Sequence, residues 1–371
     1  MSIFKRTTIL LAILTPVLLV SQSAPLSAQT NCPADTLETV VEFGGKSGES
    51  ALDHPTAMCL LPWGNVLISD TYNNRLVEFN ERGERLRVVG SIGSGDGEFS
   101  RPGGLAIVGD RIVVADGGNR RVCVLSFDYQ FVRAIPVDIM VDVVVANPDG
   151  TICAFANLDR VDSTLFLHYQ LDGKFLGKVG PGWAKADDPW HVRVVMNRLA
   201  ANWTNDGRLV TCFMSFANCR VSGGIDAVEP MADWIVRCDI NQFRQWHFDN
   251  NRNIFNNREI SEDEPFELED LVSDALKAAQ ENGKYTNFVS QVLPYRDHIL
   301  LVVSSMIHEY DPDGTLIRRV FLKDFINDQA YASCIAIDDR GVLFALDGLH
   351  TFNCRTFQYE KVASEFGLEA D

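Results

Sequence analysis

Two stretches of the chain carry the same polar trio. Asp70, Asn73 and Arg75 lie in HPTAMCLLPWGNVLISDTYNNRLVEF (His54 to Phe79), and Asp116, Asn119 and Arg121 lie in GEFSRPGGLAIVGDRIVVADGGNRRVCVL (Gly97 to Leu125). A carboxylate, an amide and a guanidinium so close together could carry catalytic chemistry. They also suit a structural task, because a carboxylate ending one strand can accept hydrogen bonds from turn amides and pair with an Arg on the next strand. A single catalytic site needs no copies, so the repetition favours turn staples for all six residues.

The trios recur 46 residues apart, and Pro55 and Pro102 are 47 apart, a period in the range of repeat architectures. Within each unit short apolar runs alternate with Gly, Asn and Asp turns, the pattern of hairpin-linked antiparallel strands. The same turn separates two apolar runs at Gly64-Asn65, Gly109-Asp110, Asn147 to Gly150, Asn205 to Gly207, Arg296-Asp297 and Asp339 to Gly341, which makes six units. A second turn at Glu81 to Gly83, Asp128-Tyr129, Asp172-Gly173, Asn241-Gln242 and Pro312 to Gly314 gives four strands, a to d, in the first five. The sixth stops after its third strand, and TVVEFGGKSGESALDHP (Thr39 to Pro55) resembles the lead of the second unit. An N-terminal strand that completes the last unit closes a ring with no free sheet edge between first and last units.

GEFSRPGGLAIVGDRIVVADGGNRRVCVL resembles an NHL repeat, whose pattern is a Gly-rich lead, Phe, Pro-x-Gly, an apolar strand, a second strand ending in Asp, and Asn-x-Arg. Pro102, Gly104, Asp116, Asn119 and Arg121 match it well, Pro55, Asp70, Asn73 and Arg75 fairly. The resemblance implies an all-β, six-bladed β-propeller, in agreement with the turn count, over residues 36–363. Some NHL-type propellers are lyases on peptide α-hydroxyglycine, with a ligand His after the Pro that opens strand a; Thr56 and Gly103 stand there instead. Lactonase-type propellers hold a divalent cation on axial Glu, Asn and Asp residues. Here the Glu-Gly-Pro opening is missing, and Asn147, Asn202 and Asp142 would serve only if they point inward.

Three insertions, 181–191, 213–234 and 250–285, are far longer than hairpins need. Read as b–c or d–a connections, they all rise from one face, and long loops in a compact domain are commonly functional. The last has Leu268, Leu271, Val272, Ala275, Leu276 and Ala279 at helical spacing, acidic residues at its start and Asn282-Gly283 as a stop, so one short helix is expected between blades four and five. On that face, ringing the channel mouth, fall His54 and Arg101, each just before the Pro that opens a strand a, with Tyr72, Trp190, His191, Tyr331 and His350. Aromatic and cationic groups at a concave mouth suit a polar ligand or an extended peptide.

Lys5 and Arg6, the apolar run Ile9 to Val20 and the small residues that follow have the layout of a secretory signal peptide, with cleavage expected after Ala28 and the mature protein periplasmic or extracellular. The apolar run is too short to span a bilayer, so the mature chain is expected to have no transmembrane anchor. The net charge is −17, and removing 1–28, which carries two basic and no acidic residues, leaves −19. Such a surface repels phosphate backbones and excludes nucleic acid as a partner. Of nine cysteines, Cys59, Cys123 and Cys153 fall in strand-like apolar runs, whereas Cys212, Cys219 and Cys238 flank an insertion and are disulfide candidates. There is no nucleophile elbow, P-loop or H-E-x-x-H. The reading is a binding module for a protein, peptide or small polar ligand, with no catalytic residue and no cofactor assigned. The alternative is a propeller lyase or lactonase with a divalent cation in the channel.

Overall fold

In a computed structural model of the chain, the described residues are 34–37, 40–44, 51–156, 164–181, 199–214, 218–225, 227, 230–236, 289–303, 306–322, 332–347 and 355–359. They form twenty-five strands and six sheets. Sheet one contains β3 (Pro55–Leu60), β4 (Val66–Asp70), β5 (Arg75–Phe79) and β6 (Arg85–Val89). Sheet two contains β7 (Pro102–Val108), β8 (Arg111–Asp116), β9 (Arg121–Ser126) and β10 (Phe131–Pro136). Sheet three contains β11 (Val143–Ala146), β12 (Ile152–Phe155), β13 (Thr164–Tyr169) and β14 (Phe175–Pro181). Sheet four contains β15 (Leu199–Trp203), β16 (Leu209–Phe213), β17 (Asn218–Ser222) and β18 (Ala232–Ile235).

Sheet five runs β19 (Gln291–Tyr295), β20 (His298–Val303), β21 (Met306–Tyr310) and β22 (Leu316–Leu322), with β1 (Ala34–Leu37) added in parallel on its outer edge. Sheet six holds β23 (Ala332–Ile337), β24 (Leu343–Asp347) and β25 (Arg355–Tyr359), and β2 (Val41–Gly44) pairs antiparallel with β25 as its fourth strand. β2, from the N-terminal part of the chain, thus completes the last sheet, and the parallel β1 is an addition that no repeat signal announced.

The core is divided among the junctions between sheets. Strand alternation sends Val66 and Ile68 of β4 to one side, against Phe344 and Leu346 of sheet six, and Leu67 to the other, against Ile112 and Val114 of sheet two. Equivalent apolar clusters fill the junctions two–three, three–four, four–five and five–six. Because the sixth sheet packs on the first as the others pack on their neighbours, the ring is closed by side chains as well as by β2. Each of the six a–b turns contains a residue with φ between +53° and +87°, five of them glycine and one Arg296, which gives the tight reversal that links inner strand to second strand.

Sheets two and three approach most tightly at Gly103 and Gly104. A Cβ at Gly104 would lie 2.9 Å from Val143 Cα, and the Gly104 N–H donates to the Asp142 carbonyl at 2.7 Å.

Unit four differs from expectation. Residues 213–234 are not one long b–c connection: β17 lies inside them, paired with β16 and β18, so the b–c connection is 214–217 and the longer one, 223–231, is c–d. A c–d connection emerges on the face opposite the b–c turns, so this loop does not rise on the face where it was expected. The physical reason is a disulfide between Cys212 and Cys219, whose Cα atoms face each other 4.0 Å apart across β16 and β17. The expected second turn of that unit, Asn241-Gln242, is thereby overturned, because the fourth strand, β18, already ends at Ile235. The insertion 250–285 with its helix, nearly all of 181–191, residues 1–28 and Cys238 lie outside the described residues. Among the described residues the only helical segment is a 3-10 turn, Gly117–Asn119. No described helix is long and apolar enough to cross a membrane.

Candidate functional site

The inner strands β3, β7, β11, β15, β19 and β23 each end their sheet, so none has a ladder partner on the edge that faces the axis. They enclose a channel of about 730 Å³, lined by residues from all six, among them Thr56, Leu105, Val143, Ala201, Leu293 and Ile335. Polar side chains on the wall are tied between neighbouring sheets. Gln291 accepts the Ile335 N–H at 2.6 Å and donates to its carbonyl at 3.1 Å, and Asn202 donates to the Val292 carbonyl at 3.3 Å.

At one end three side chains stack. The His54 ring lies on Tyr72 with centroids 4.2 Å apart and 17° between planes, and the Arg101 guanidinium sits over Tyr72 at 5.7 Å from its centroid. Tyr72 is 50% exposed, and all three residues line the channel. His54 Nδ1 is 2.6 Å from Asp53 Oδ1. The backbone at both His54 (φ 48°) and Arg101 (φ 53°) is left-handed, an arrangement that costs about 1–3 kcal/mol at a residue other than glycine and that the surroundings must impose.

The repeated trios provide that imposition. Asp70 Oδ1 accepts the Asp53 N–H at 2.6 Å, while its Oδ2 takes Asn73 Nδ2 at 2.9 Å and Arg75 Nε at 2.7 Å. Asp116 Oδ1 accepts the Ser100 N–H at 2.7 Å, and its Oδ2 takes Asn119 Nδ2 at 2.8 Å and Arg121 Nε at 2.7 Å. Each buried carboxylate therefore grips the peptide one residue before a mouth residue, His54 or Arg101. The guanidiniums continue outward: Arg75 donates to the Ala51 carbonyl, and Arg121 to the carbonyls of Ser94, Gly95 and Glu98. Burial works against the Arg121 charge, but the hydrogen bond and charge of Asp116 outweigh it and raise the guanidinium above its ordinary value. Every oxygen of both carboxylates is thus occupied by a protein donor.

Of the residues expected at the mouth, His54, Tyr72 and Arg101 meet; Trp190, His191, Tyr331 and His350 lie outside the described residues. Two further contributors emerge. Asp53 pairs with His54, and Asn74 Oδ1 accepts the Arg101 N–H at 2.9 Å, linking the b–c turn of sheet one to sheet two. Adjacency to His54 is the signal that could have found Asp53, whereas nothing in the sequence tied Asn74 to a residue 27 positions on.

Of the oxygen ligands considered for a cation, Asp142 and Asn202 line the channel but Asn147 does not. Its Oδ1 accepts Trp203 Nε1 at 2.6 Å and its Nδ2 donates to Thr151 Oγ1 at 2.9 Å, which ties sheet three to sheet four. Among the described residues no three His, Cys, Asp or Glu side chains gather as a metal-ligand group. Cys123, Cys153 and Cys334 are buried and Cys59 is partly so. Burial pushes the thiols of Cys59, Cys123 and Cys334 up to about 12, which leaves them protonated and unreactive at neutral pH.

Residues 55–180 match the DUF5128 family, described as a 6-bladed beta-propeller. A 73-residue segment is 36% identical to the RING finger protein nhl-1 of Caenorhabditis elegans; it covers 20% of this chain and 7% of that protein's length. A putative exported protein from Bacteroides fragilis is 10% identical, with a TM-score of 0.51 over 88% of this chain and 98% of that one. The PQQ-bound aldose sugar dehydrogenase of Streptomyces coelicolor is 11% identical, with a TM-score of 0.51 over 89% and 99% of the two chains. At such identities the two structures speak to the fold alone. The repeat in residues 54–125, the match over residues 55–180 and the nhl-1 segment make this part of the chain similar to NHL-like propeller proteins.

Proposed function

We propose that this protein is an exported, six-bladed propeller that binds a peptide, protein segment or small polar ligand at the channel mouth and does not transform it. The observation that carries this reading is the stack of His54, Tyr72 and Arg101 over the opening of a channel of about 730 Å³. An exposed aromatic face flanked by a cation offers stacking and charge to an incoming group, and its backbone is fixed by buried carboxylates before any ligand arrives, which lowers the ordering cost of binding. The repeated Asp, Asn and Arg trios are turn staples on this reading, and the trios act on the ligand only through the residues they hold.

The test is a thermal-shift screen of the purified mature protein against a small-molecule and dipeptide library, repeated on Tyr72→Ala. Hits whose stabilisation disappears in Tyr72→Ala, with an unchanged melting temperature of the free variant, support the reading. A hit that is turned over, or a stoichiometric divalent ion found by elemental analysis and required for the response, replaces it with the enzyme alternative.

A further inference from the structure

Among the described mouth residues, Arg101 is the one whose charge has no charged partner in its surroundings. The two repeat arginines nearest to it are committed: Arg75 to Asp70 and Arg121 to Asp116. His54 has Asp53. Among the described residues, the Arg101 guanidinium meets only the Tyr72 ring, while its backbone N–H is held by Asn74. In a chain of net charge −17, an exposed guanidinium left without a carboxylate is a position where an anionic group can be supplied from outside.

The repeat itself makes the place asymmetric. Tyr72 in the b–c turn of sheet one corresponds to Gly118 in that of sheet two, 46 positions on, where the approach of Ser100 leaves no room for a Cβ. The guanidinium therefore has the Tyr72 ring of the neighbouring sheet beside it, while the b–c turn of its own sheet offers no side chain at the corresponding position. Behind it, the channel wall presents apolar side chains, including Leu60, Leu105, Val143, Leu293 and Ile335.

We infer that Arg101 anchors the carboxylate of a ligand whose apolar body enters the channel, with the Tyr72 ring holding the guanidinium plane for a two-pronged contact. A planar fork matched to a carboxylate gives both charge and orientation, which a Lys at the same place would supply only in part. The inference rests on the channel-mouth reading above and narrows it to one ligand chemistry, an organic acid or the C-terminal carboxylate of an apolar peptide.

Isothermal titration calorimetry with two matched pairs tests it: 4-phenylbutyrate against 4-phenylbutanamide, and N-acetyl-Phe-Phe as free acid against its C-terminal amide. The expected result is that at least one acid binds, that its amide binds at least tenfold more weakly, and that Arg101→Gln lowers the acid's affinity at least tenfold while Arg101→Lys retains part of it. Which acid binds separates a free acid from a peptide terminus. The exposed Arg101 side chain makes no ion pair within the described residues, so Arg101→Gln is expected to keep the parent melting temperature, which is measured alongside. The inference is overturned if acid and amide bind equally, if Arg101→Gln leaves acid binding unchanged, or if neither acid binds. Tyr72→Ala separates this failure from that of the mouth reading. Amide binding lost in Tyr72→Ala but untouched by Arg101→Gln keeps the mouth and removes the carboxylate, whereas acid binding indifferent to both variants removes the mouth itself.

Discussion

Replacing Asp116 by Ala removes a side chain with no exposure whose two oxygens serve a backbone amide, an amide side chain and a guanidinium at 2.7–2.8 Å. The dominant cost is the charge left behind, because Arg121 is only 12% exposed. Breaking a buried ion pair from one side typically costs about 3–5 kcal/mol. Arg121 keeps its three loop carbonyls, so the lower end, about 3 kcal/mol, is expected. The same change at Asp70 leaves Arg75, which is 25% exposed and more easily rehydrated, so about 2 kcal/mol is expected there. Urea unfolding followed by far-UV circular dichroism measures both, and the order of the two losses is part of the prediction. A double variant, Asp116→Ala with Arg121→Ala, removes the stranded charge and is expected to be no more than about 1 kcal/mol worse than Asp116→Ala alone, a strongly non-additive cycle. A cost under about 1 kcal/mol for Asp116→Ala, or strict additivity, would refute the claim that this carboxylate holds the turn through its buried partners. Since the Ser100 N–H loses its acceptor, weaker binding at Arg101 should accompany the loss of stability.

Three other outcomes follow from the packing. His308 is fully buried, and burial first, then the Arg319 charge, hold its imidazole down to about 3. A folded value below the unfolded 6.5 means full stability above pH 6.5 and loss as pH falls toward 3, at most about 4–5 kcal/mol, so His308→Phe should flatten the acid limb of a stability–pH profile; an unchanged limb refutes this. Reducing the Cys212–Cys219 disulfide opens a short loop of seven-residue separation and should cost about 2–3 kcal/mol by loop entropy, read as a lower urea midpoint in dithiothreitol that Cys212→Ser/Cys219→Ser no longer shows. Gly104→Ala puts a methyl 2.9 Å from the backbone of Val143 and Val144, which cannot move aside as a side chain can, and should lose about 1–3 kcal/mol in urea unfolding; a loss under about 0.5 kcal/mol would show that the two sheets are free to separate.

Local chemistry made much of this fold legible. Positive-φ residues at hairpin turns and apolar alternation mark strands wherever they occur, so all six a–b turns and the strand that completes the sixth sheet could be read from the chain. Unit four misled because its cue was loop length. Cys212 and Cys219 sit opposite each other in adjacent strands, but a separation of seven residues fits a tight hairpin and a flanked loop equally well until the pairing of β16 with β17 is known. Contacts between sheets were illegible for a similar reason. Glu78 is a buried carboxylate that accepts from Tyr129 Oη at 2.8 Å, 51 positions away, and from Trp63 and Asn65; together these donors outweigh burial and hold it below its ordinary value. No spacing rule within one repeat reveals a partner supplied by the next.

The same distinction explains why the trios first attract a catalytic reading. Seen alone, Asp116, Asn119 and Arg121 are charged groups set among apolar strands, the pattern expected of a site. Their hydrogen bonds show that both oxygens of the carboxylate are engaged by protein donors. A carboxylate engaged in this way is a clamp, and what it clamps is the peptide before Arg101, as Asp70 clamps the peptide before His54. The repeat thus copies the clamp while the residue it presents varies, from His54 in sheet one to Arg101 in sheet two. On the proposed reading, specificity in such a ring resides in the residues that break the repeat, and the backbone strain at φ 48° and 53° is where the repeated geometry of the clamp meets the changed side chain.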